Sequence, residues 1–354
     1  MIILKYLKRQ SCLKNVIFLF FLFFLFISSY CFANQQYVAL LEKINAIENT
    51  SGSIIGVSAI NIETNEKVSH NAMMPFFMAS TNKLPIVLTL LNQVDEKKDS
   101  LDRVVTLGLR NSVPGSGSLY YKLEKGPTKM SLQQLLNLML IESDNSASDM
   151  IFHEVNGSTG VMKRMHELGF NHILVNRSFL EIYFDSHGVN RLLLKEAHPV
   201  SVWEEKFSQI PVEKQTLAWQ LFENDLRDTA TPEDMRNLLV KLYKGELLSQ
   251  SSTDFLLNIM VQCKTGKDSI KGLLPANTKV AHKTGTWTIY SKAFLQYPAS
   301  KKLYRFASDV GIITLPHNKG HIAMAIYVKS NSVDDKERYK VISMVARAIY
   351  DYFE

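Results

Sequence analysis

Ser80 and Lys83 stand three positions apart in Met78-Ala79-Ser80-Thr81-Asn82-Lys83-Leu84-Pro85-Ile86-Val87-Leu88, at the head of an apolar run. On a helix, positions i and i+3 share a face, so hydroxyl and amine would point the same way. At a helix start the free backbone N–H groups and the positive end of the dipole favour developing negative charge. A lysine beside a serine hydroxyl takes its proton and makes it a nucleophile, provided the lysine pKa is lowered. Taken alone, S-x-x-K is equally the pattern of a solvated helix start. Two further groups carry similar chemistry. Ser143-Asp144-Asn145 follows the apolar-periodic run Leu132–Ile141, and Lys283-Thr284-Gly285-Thr286 follows a short strand-like segment. In isolation the first reads as a helix N-cap and the second as a strand end entering a turn.

The three groups in this order, S-x-x-K, S-D-N and K-T-G, are the signature of serine β-lactamases and penicillin-binding proteins. From about Gln35 to the C-terminus the chain resembles the class A β-lactamase family and its penicillin-recognising serine-hydrolase relatives. The stretch from Cys263-Lys264-Thr265-Gly266 through Gly272-Leu273-Leu274-Pro275 to Val280-Ala281-His282-Lys283-Thr284-Gly285 is similar to that family's approach to its third motif. The resemblance implies Ser80 as nucleophile and Lys83 as its proton acceptor or relay partner. It implies Ser143 as donor to the leaving nitrogen and Asn145 as partner of the substrate amide. Lys283 and Thr284 would hold a substrate carboxylate, and Lys283 would lower the pKa of Lys83 by like-charge repulsion. The oxyanion hole would be the backbone N–H groups of Ser80 and Thr286. The ligand implied is a β-lactam or peptidoglycan-like small molecule.

The departure lies between the second and third motifs. The family places a glutamate about 34 residues after the asparagine of S-D-N to activate the deacylating water; here that count falls on Phe179. Arg177 matches a loop arginine of the family, and its aspartate partner matches Asp228, 51 residues on rather than about 15. Some 36 residues are therefore inserted in an Ω-type loop, within 178–227. An ion pair at its neck would close a loop whose closure entropy grows only slowly with length. Glu181 is the carboxylate nearest the vacated base position, with Glu196, Glu204 and Glu205 as further candidates. Trp203, Phe207, Leu217, Trp219, Leu221 and Phe222 give the insertion apolar mass, and Glu213–Glu223 reads as a helix. The insertion is either a surface covering or a lid or docking element over the site.

Residues 1–33 carry Lys5, Lys8, Arg9 and Lys14 and no acid, then the apolar run Val16–Ile27 and the small-residue end at Ala33. That is the pattern of a signal peptide cleaved after Ala33, leaving 34–354 as one mature domain in the periplasm or outside the cell. Twelve apolar residues fall short of the roughly 20 a membrane span needs. Membrane contact is expected only if this segment stays attached. Without it, 36 basic against 34 acidic side chains leave a net charge of +2 in place of +6. No basic stripe with interleaved aromatics occurs, which argues against nucleic acid as a partner. The nine histidines lack metal-ligand spacing, so neither metal nor cofactor is expected. The chain reads as a monomer. His282 reads as a strand residue, and Cys263, the one mature cysteine, as a small buried apolar side chain. Pro114-Gly115-Ser116-Gly117-Ser118 is either the cleft rim or an ordinary turn.

The elements that must position these groups give an α/β (α+β) class. Gln36–Glu48 carries a helical apolar stripe and Ile54–Ile62 alternates as a strand. Helices are predicted at Thr81–Val94, Ser131–Ile141, Ser146–Val155, Gly160–Leu168 and Pro232–Lys244. A hairpin is predicted over Val310–Leu315 and His321–Val328, and a final helix over Asp335–Tyr352. The family resemblance arranges these as an antiparallel sheet flanked by helices, with an all-helical lobe holding the first two motifs.

Overall fold

The computed structural model describes residues 35–195, 197–288 and 303–354, so the anticipated leader at 1–33 and the candidate Glu196 lie outside the described residues. Among the described residues the strands are β1 (Ile54–Asn61), β2 (Lys67–His70), β3 (Phe76–Phe77), β4 (Val104–Leu107), β5 (Thr128–Ser131), β6 (Thr229–Ala230), β7 (Val280–Trp287), β8 (Arg305–Thr314) and β9 (His321–Ser330). Five form an antiparallel sheet in the order β2-β1-β9-β8-β7; β3 pairs with β6 and β4 with β5. Successive side chains of a strand point to opposite faces, and both faces here are covered. Val57, Ala59, Met324 and Ile326 pack on Leu40, Ile44, Val341, Val345 and Ile349 of the terminal helices 35–51 and Asp335–Phe353. Ile60, Ala323, Ala325 and Tyr327, on the other face, join Leu84, Leu88, Leu136, Leu238 and Leu239 of the helical lobe.

The apolar run after Lys83 forms the helix Lys83–Asp95, whose residues Lys83 to Leu91 are all buried. A helix that is apolar all round belongs in the middle of a lobe. Around it lie Leu132–Ile141, opened by a Ser131/Gln134 capping box; Asn145–Glu154, capped by Asp144; and Pro232–Tyr243, capped by Thr231. Each satisfies backbone N–H groups that a helix start leaves free. Ser80 does not open that helix directly. It sits in a 3-10 turn, Ala79–Asn82, immediately before it.

The inserted segment folds into the helices Phe179–His187, Val200–Ser208 and Val212–Phe222, the first two unforeseen from periodicity. Trp203, Phe207, Trp219 and Phe222 are buried, whereas Leu217 and Leu221, expected to pack, are 58% and 67% exposed. Phe222 meets Phe77, Trp287 and Phe306, and the Trp219 indole donates to the Tyr304 carbonyl at 2.7 Å. The segment is thus packed against the β7–β8 edge as a wall.

Its neck is tied by charge. Arg177, 2% exposed, donates from Nε to Asp228 Oδ2 at 2.5 Å and pairs with Asp185 at 2.8 Å and Asp225 at 3.2 Å. Asp228 Oδ1 also accepts from the Asn176 and Arg177 amides, and its carbonyl accepts from the Met78 amide, two residues before Ser80. Removing one partner of a buried pair strands the other charge, so Arg177→Ala is expected to cost about 3–5 kcal/mol. Thermal or urea unfolding measures it, and a change below about 1 kcal/mol would show that the neck contributes little.

Candidate active site

The motif residues come together in a cleft of about 420 Å³ lined by Ser80, Gly115, Ser143, Asn145, Tyr183, Thr284 and Thr286 among others. The nucleophile turn is strained and braced. Ala79 has φ +49, an uncommon value for a residue with a side chain. The Met78 carbonyl accepts from Ser308 Oγ at 2.9 Å and Thr81 Oγ1 at 2.8 Å. Strand β7 runs so close to this turn that a Cβ on Gly285 would lie 2.6 Å from the Met78 carbonyl and 2.9 Å from the Ser80 nitrogen. Only glycine allows that approach, which brings the backbone around Thr286 beside Ser80.

Lys83 is fully buried. Its ammonium donates to Ser143 Oγ at 3.1 Å, Asn145 Oδ1 at 3.0 Å and the Ser143 carbonyl. Among the described residues its hydrogen bonds run to the S-D-N segment rather than to Ser80. Lys283 reaches Ser143 Oγ at 2.9 Å from the opposite side. Two cationic donors on one hydroxyl oxygen leave the Ser143 O–H free to donate elsewhere. Burial, then the Lys283 charge, holds Lys83 well below the ordinary lysine range; burial lowers Lys283 too. A lowered pKa is what a lysine needs to take a proton from a serine hydroxyl.

The S-D-N segment is fixed by the Pro114–Ser118 turn, which is therefore a cleft wall. Asn145 Nδ2 donates to the Pro114 carbonyl at 3.0 Å, and the Asn145 amide donates to the Ser116 carbonyl at 2.9 Å. Asp144 Oδ2 accepts from the amides of Ser118 and Leu119, both at 2.8 Å. Thr284 Oγ1 lies 2.6 Å from Thr265 Oγ1, and Thr286 Oγ1 lies 2.7 Å from the Tyr339 hydroxyl.

The loop residues correct one expectation. Glu181 does not face the nucleophile: Ser178-Phe179-Leu180-Glu181 is a capping box, with Glu181 Oε2 accepting from the Ser178 amide at 2.9 Å and Oε1 3.5 Å from Arg191. Glu204 and Glu205 are exposed, and Glu205 accepts from Gln209. Phe179 faces Lys83, whose Nζ lies 4.5 Å from the ring centroid. One helical turn on, Tyr183 lines the cleft and packs on Trp287 at 4.7 Å. Asp149, unnoticed in the sequence, is buried behind them. It accepts from the Phe179 amide at 2.6 Å and the Leu180 amide at 3.0 Å, and burial pushes it up to about 6.

Cys263 is buried and His282 stands on a strand, as expected, but their side-chain partners were not foreseen. The Cys263 thiol lies 3.2 Å from Thr265 Oγ1. His282 is wholly buried and pairs with Asp309 at 2.9 Å. Neither had a local sequence signal.

The sequence model of the beta-lactamase enzyme family matches residues 39–353. The chain belongs to that family. It is 26% identical over 324 residues to the beta-lactamase VEB-1 of Pseudomonas aeruginosa, covering 91% of this chain and 93% of that one. It is 25% identical to the extended-spectrum beta-lactamase PER-1 of the same organism, covering 90% and 89%. The crystal structure of the TLA-1 extended-spectrum beta-lactamase superposes with a TM-score of 0.70 at 27% identity, over 89% of this chain and 98% of that one. A beta-lactamase from Chitinophaga pinensis gives 0.69 at 26%, over 88% and 98%. The chain is a serine hydrolase of the class A beta-lactamase type, with the α+β architecture of that class.

Proposed function

We propose that this protein is an exported hydrolase that opens β-lactam amides through an acyl-Ser80 intermediate and releases the acyl group slowly. The leader 1–33 is removed on export, and the mature chain acts in the periplasm as a monomer. Ser80 attacks the lactam carbonyl while its proton passes to the neutral Lys83 amine, directly or by way of Ser143. The amides of Ser80 and Thr286 receive the oxyanion. Ser143 then hands a proton to the departing nitrogen. Asn145 orients the side-chain amide, and Lys283 with Thr284 holds the carboxylate.

One observation carries the slow second half. The aromatic ring of Phe179 lies over Lys83, on the loop stretch where the family carries its base, and Tyr183 fills the cleft wall beside it. Neither accepts a proton at neutral pH; burial raises the Tyr183 phenol further. The carboxylate of Asp149 is held by the two amides of Phe179 and Leu180. Attack by Ser80 needs none of these groups, but activation of water does. The same observation favours a second reading, a penicillin-binding protein or sensor that stays acylated, over a peptidase or esterase that must turn over on cell-wall fragments.

Peptide mapping after exposure to a penicillin tests the first half. The expected adduct is on Ser80, and it disappears in Ser80→Ala. An adduct on another residue, or one undiminished in that variant, refutes the assignment.

A further inference from the structure

We propose that Cys263, His282 and Asp309 form a peroxide-responsive thiol site, and that its oxidation loosens the wall of the cleft that holds the substrate carboxylate. The second half rests on the carboxylate role given to Thr284 above.

Three elements build the site. Cys263 follows the helix Gln250–Val261, His282 lies on β7 and Asp309 on β8. His282 is wholly buried, and its Nδ1 lies 2.9 and 3.1 Å from the two Asp309 oxygens. Asp309, itself wholly buried, also accepts from the Ile270 amide at 3.1 Å. The other ring nitrogen, Nε2, is buried without a hydrogen bond of ordinary geometry, and the imidazole and the Cys263 thiol are close enough to shift each other's protonation. An imidazole oriented by a carboxylate, with its free nitrogen toward sulfur, stabilises a thiolate. Burial alone would raise the Cys263 thiol; the contacts with His282, Lys283 and Thr265 outweigh it and bring it down to about 6. Burial likewise disfavours charged His282, and Asp309 outweighs it, pushing the imidazole up to about 9. Both shifts favour the thiolate and imidazolium forms of the pair.

That pair is matched to a hydroperoxide. The thiolate attacks one peroxide oxygen, so an S–O bond forms and the O–O bond breaks. The departing hydroxide takes the His282 Nε2 proton and leaves as water. Sulfur is oxidised by two electrons to a sulfenic acid, and the peroxide is reduced by two.

The consequence reaches the cleft through one contact. Cys263 Sγ lies 3.2 Å from Thr265 Oγ1, which lies 2.6 Å from Thr284 Oγ1, and both threonines line the cleft. An oxygen added to the sulfur on its Thr265 side would displace that side chain and break the bond that orients Thr284. Packed interiors respond to one added atom by displacement.

The test treats the full chain with hydrogen peroxide and traps sulfenic acid with dimedone, mapping the label to Cys263. Acylation of Ser80 by a subsaturating penicillin is then timed before oxidation, after it, and after dithiothreitol. Native Cys263 should be labelled at least about 10-fold faster than in the urea-unfolded chain, and His282→Gln should remove most of that advantage. Acylation should slow several-fold and recover on reduction, whereas Cys263→Ala should show no peroxide effect. Labelling no faster than in the unfolded chain overturns the thiol site. Fast labelling with unchanged acylation overturns its link to the cleft. A chain that never acylates Ser80 overturns the functional reading instead, and the labelling arm still decides the thiol site.

Discussion

Phe179→Glu is expected to shorten the life of the acyl-enzyme by about 10²–10⁴-fold, the usual worth of general-base assistance. The Phe179 ring centroid is 4.5 Å from Lys83 Nζ, so a carboxylate in its place lies beside the lysine nitrogen and exchanges a large ring for a smaller group and room for water. The nearby Asp149 carboxyl, already pushed up to about 6 by burial, opposes the new charge. Where Tyr183 still blocks the water, Tyr183→Asn in the same chain opens its side of the cleft. Loss of the adduct is followed by intact mass. Should a folded Phe179→Glu, Tyr183→Asn chain keep the wild-type adduct lifetime, the missing base is not what stalls the reaction.

The second large effect belongs to Lys83. Lys83→Met keeps the stem of the side chain and removes the amine, and acylation should fall by about 10²–10⁴-fold. The wild-type pH profile carries the sign. Burial and the Lys283 charge lower the Lys83 pKa, so the reactive neutral amine gains population as pH rises through that lowered value. Acylation should therefore increase with pH and reach its plateau below the ordinary lysine range. Lys283→Ala removes the like charge and should move the midpoint upward. A rate that is flat with pH, or a midpoint unmoved in Lys283→Ala, would place the proton elsewhere.

What the sequence showed of this site follows from how local each signal is. S-x-x-K, S-D-N and K-T-G are each contiguous, so their chemistry was readable before their meeting in space. The count from Asn145 to Phe179 exposed the altered loop for the same reason. Glu181 was misjudged because nearness in sequence stood in for direction. Ser178-Phe179-Leu180-Glu181 is itself an S-x-x-E capping box, which opens a helix and turns the glutamate back on its own N-terminus. Read so, it also places Tyr183 one turn beyond Phe179, on the same face. Asp149 was hidden differently. It lies four residues after Asn145 on one helix and accepts from the amides of a loop 30 residues on. The pairing of His282 with Asp309 depends on the register of β7 with β8, where Lys283 opposes Val310 and Thr284 opposes Asp309. No single segment carries that. The sheet and helical lobe were legible because their apolar periods are long. The helix Val200–Ser208 has only Val200, Trp203 and Phe207 buried, too sparse a stripe to announce itself.

The central claim is that acylation at Ser80 outruns release. A chromogenic cephalosporin in excess over enzyme measures both at once. The account predicts a burst of about one product per active chain, followed by a steady rate at least about 10²-fold slower than the burst. The intact mass of the chain should show the adduct throughout the slow phase. Linear turnover with no burst and no accumulated adduct would contradict it, and would mean that this loop activates water without a carboxylate at Phe179.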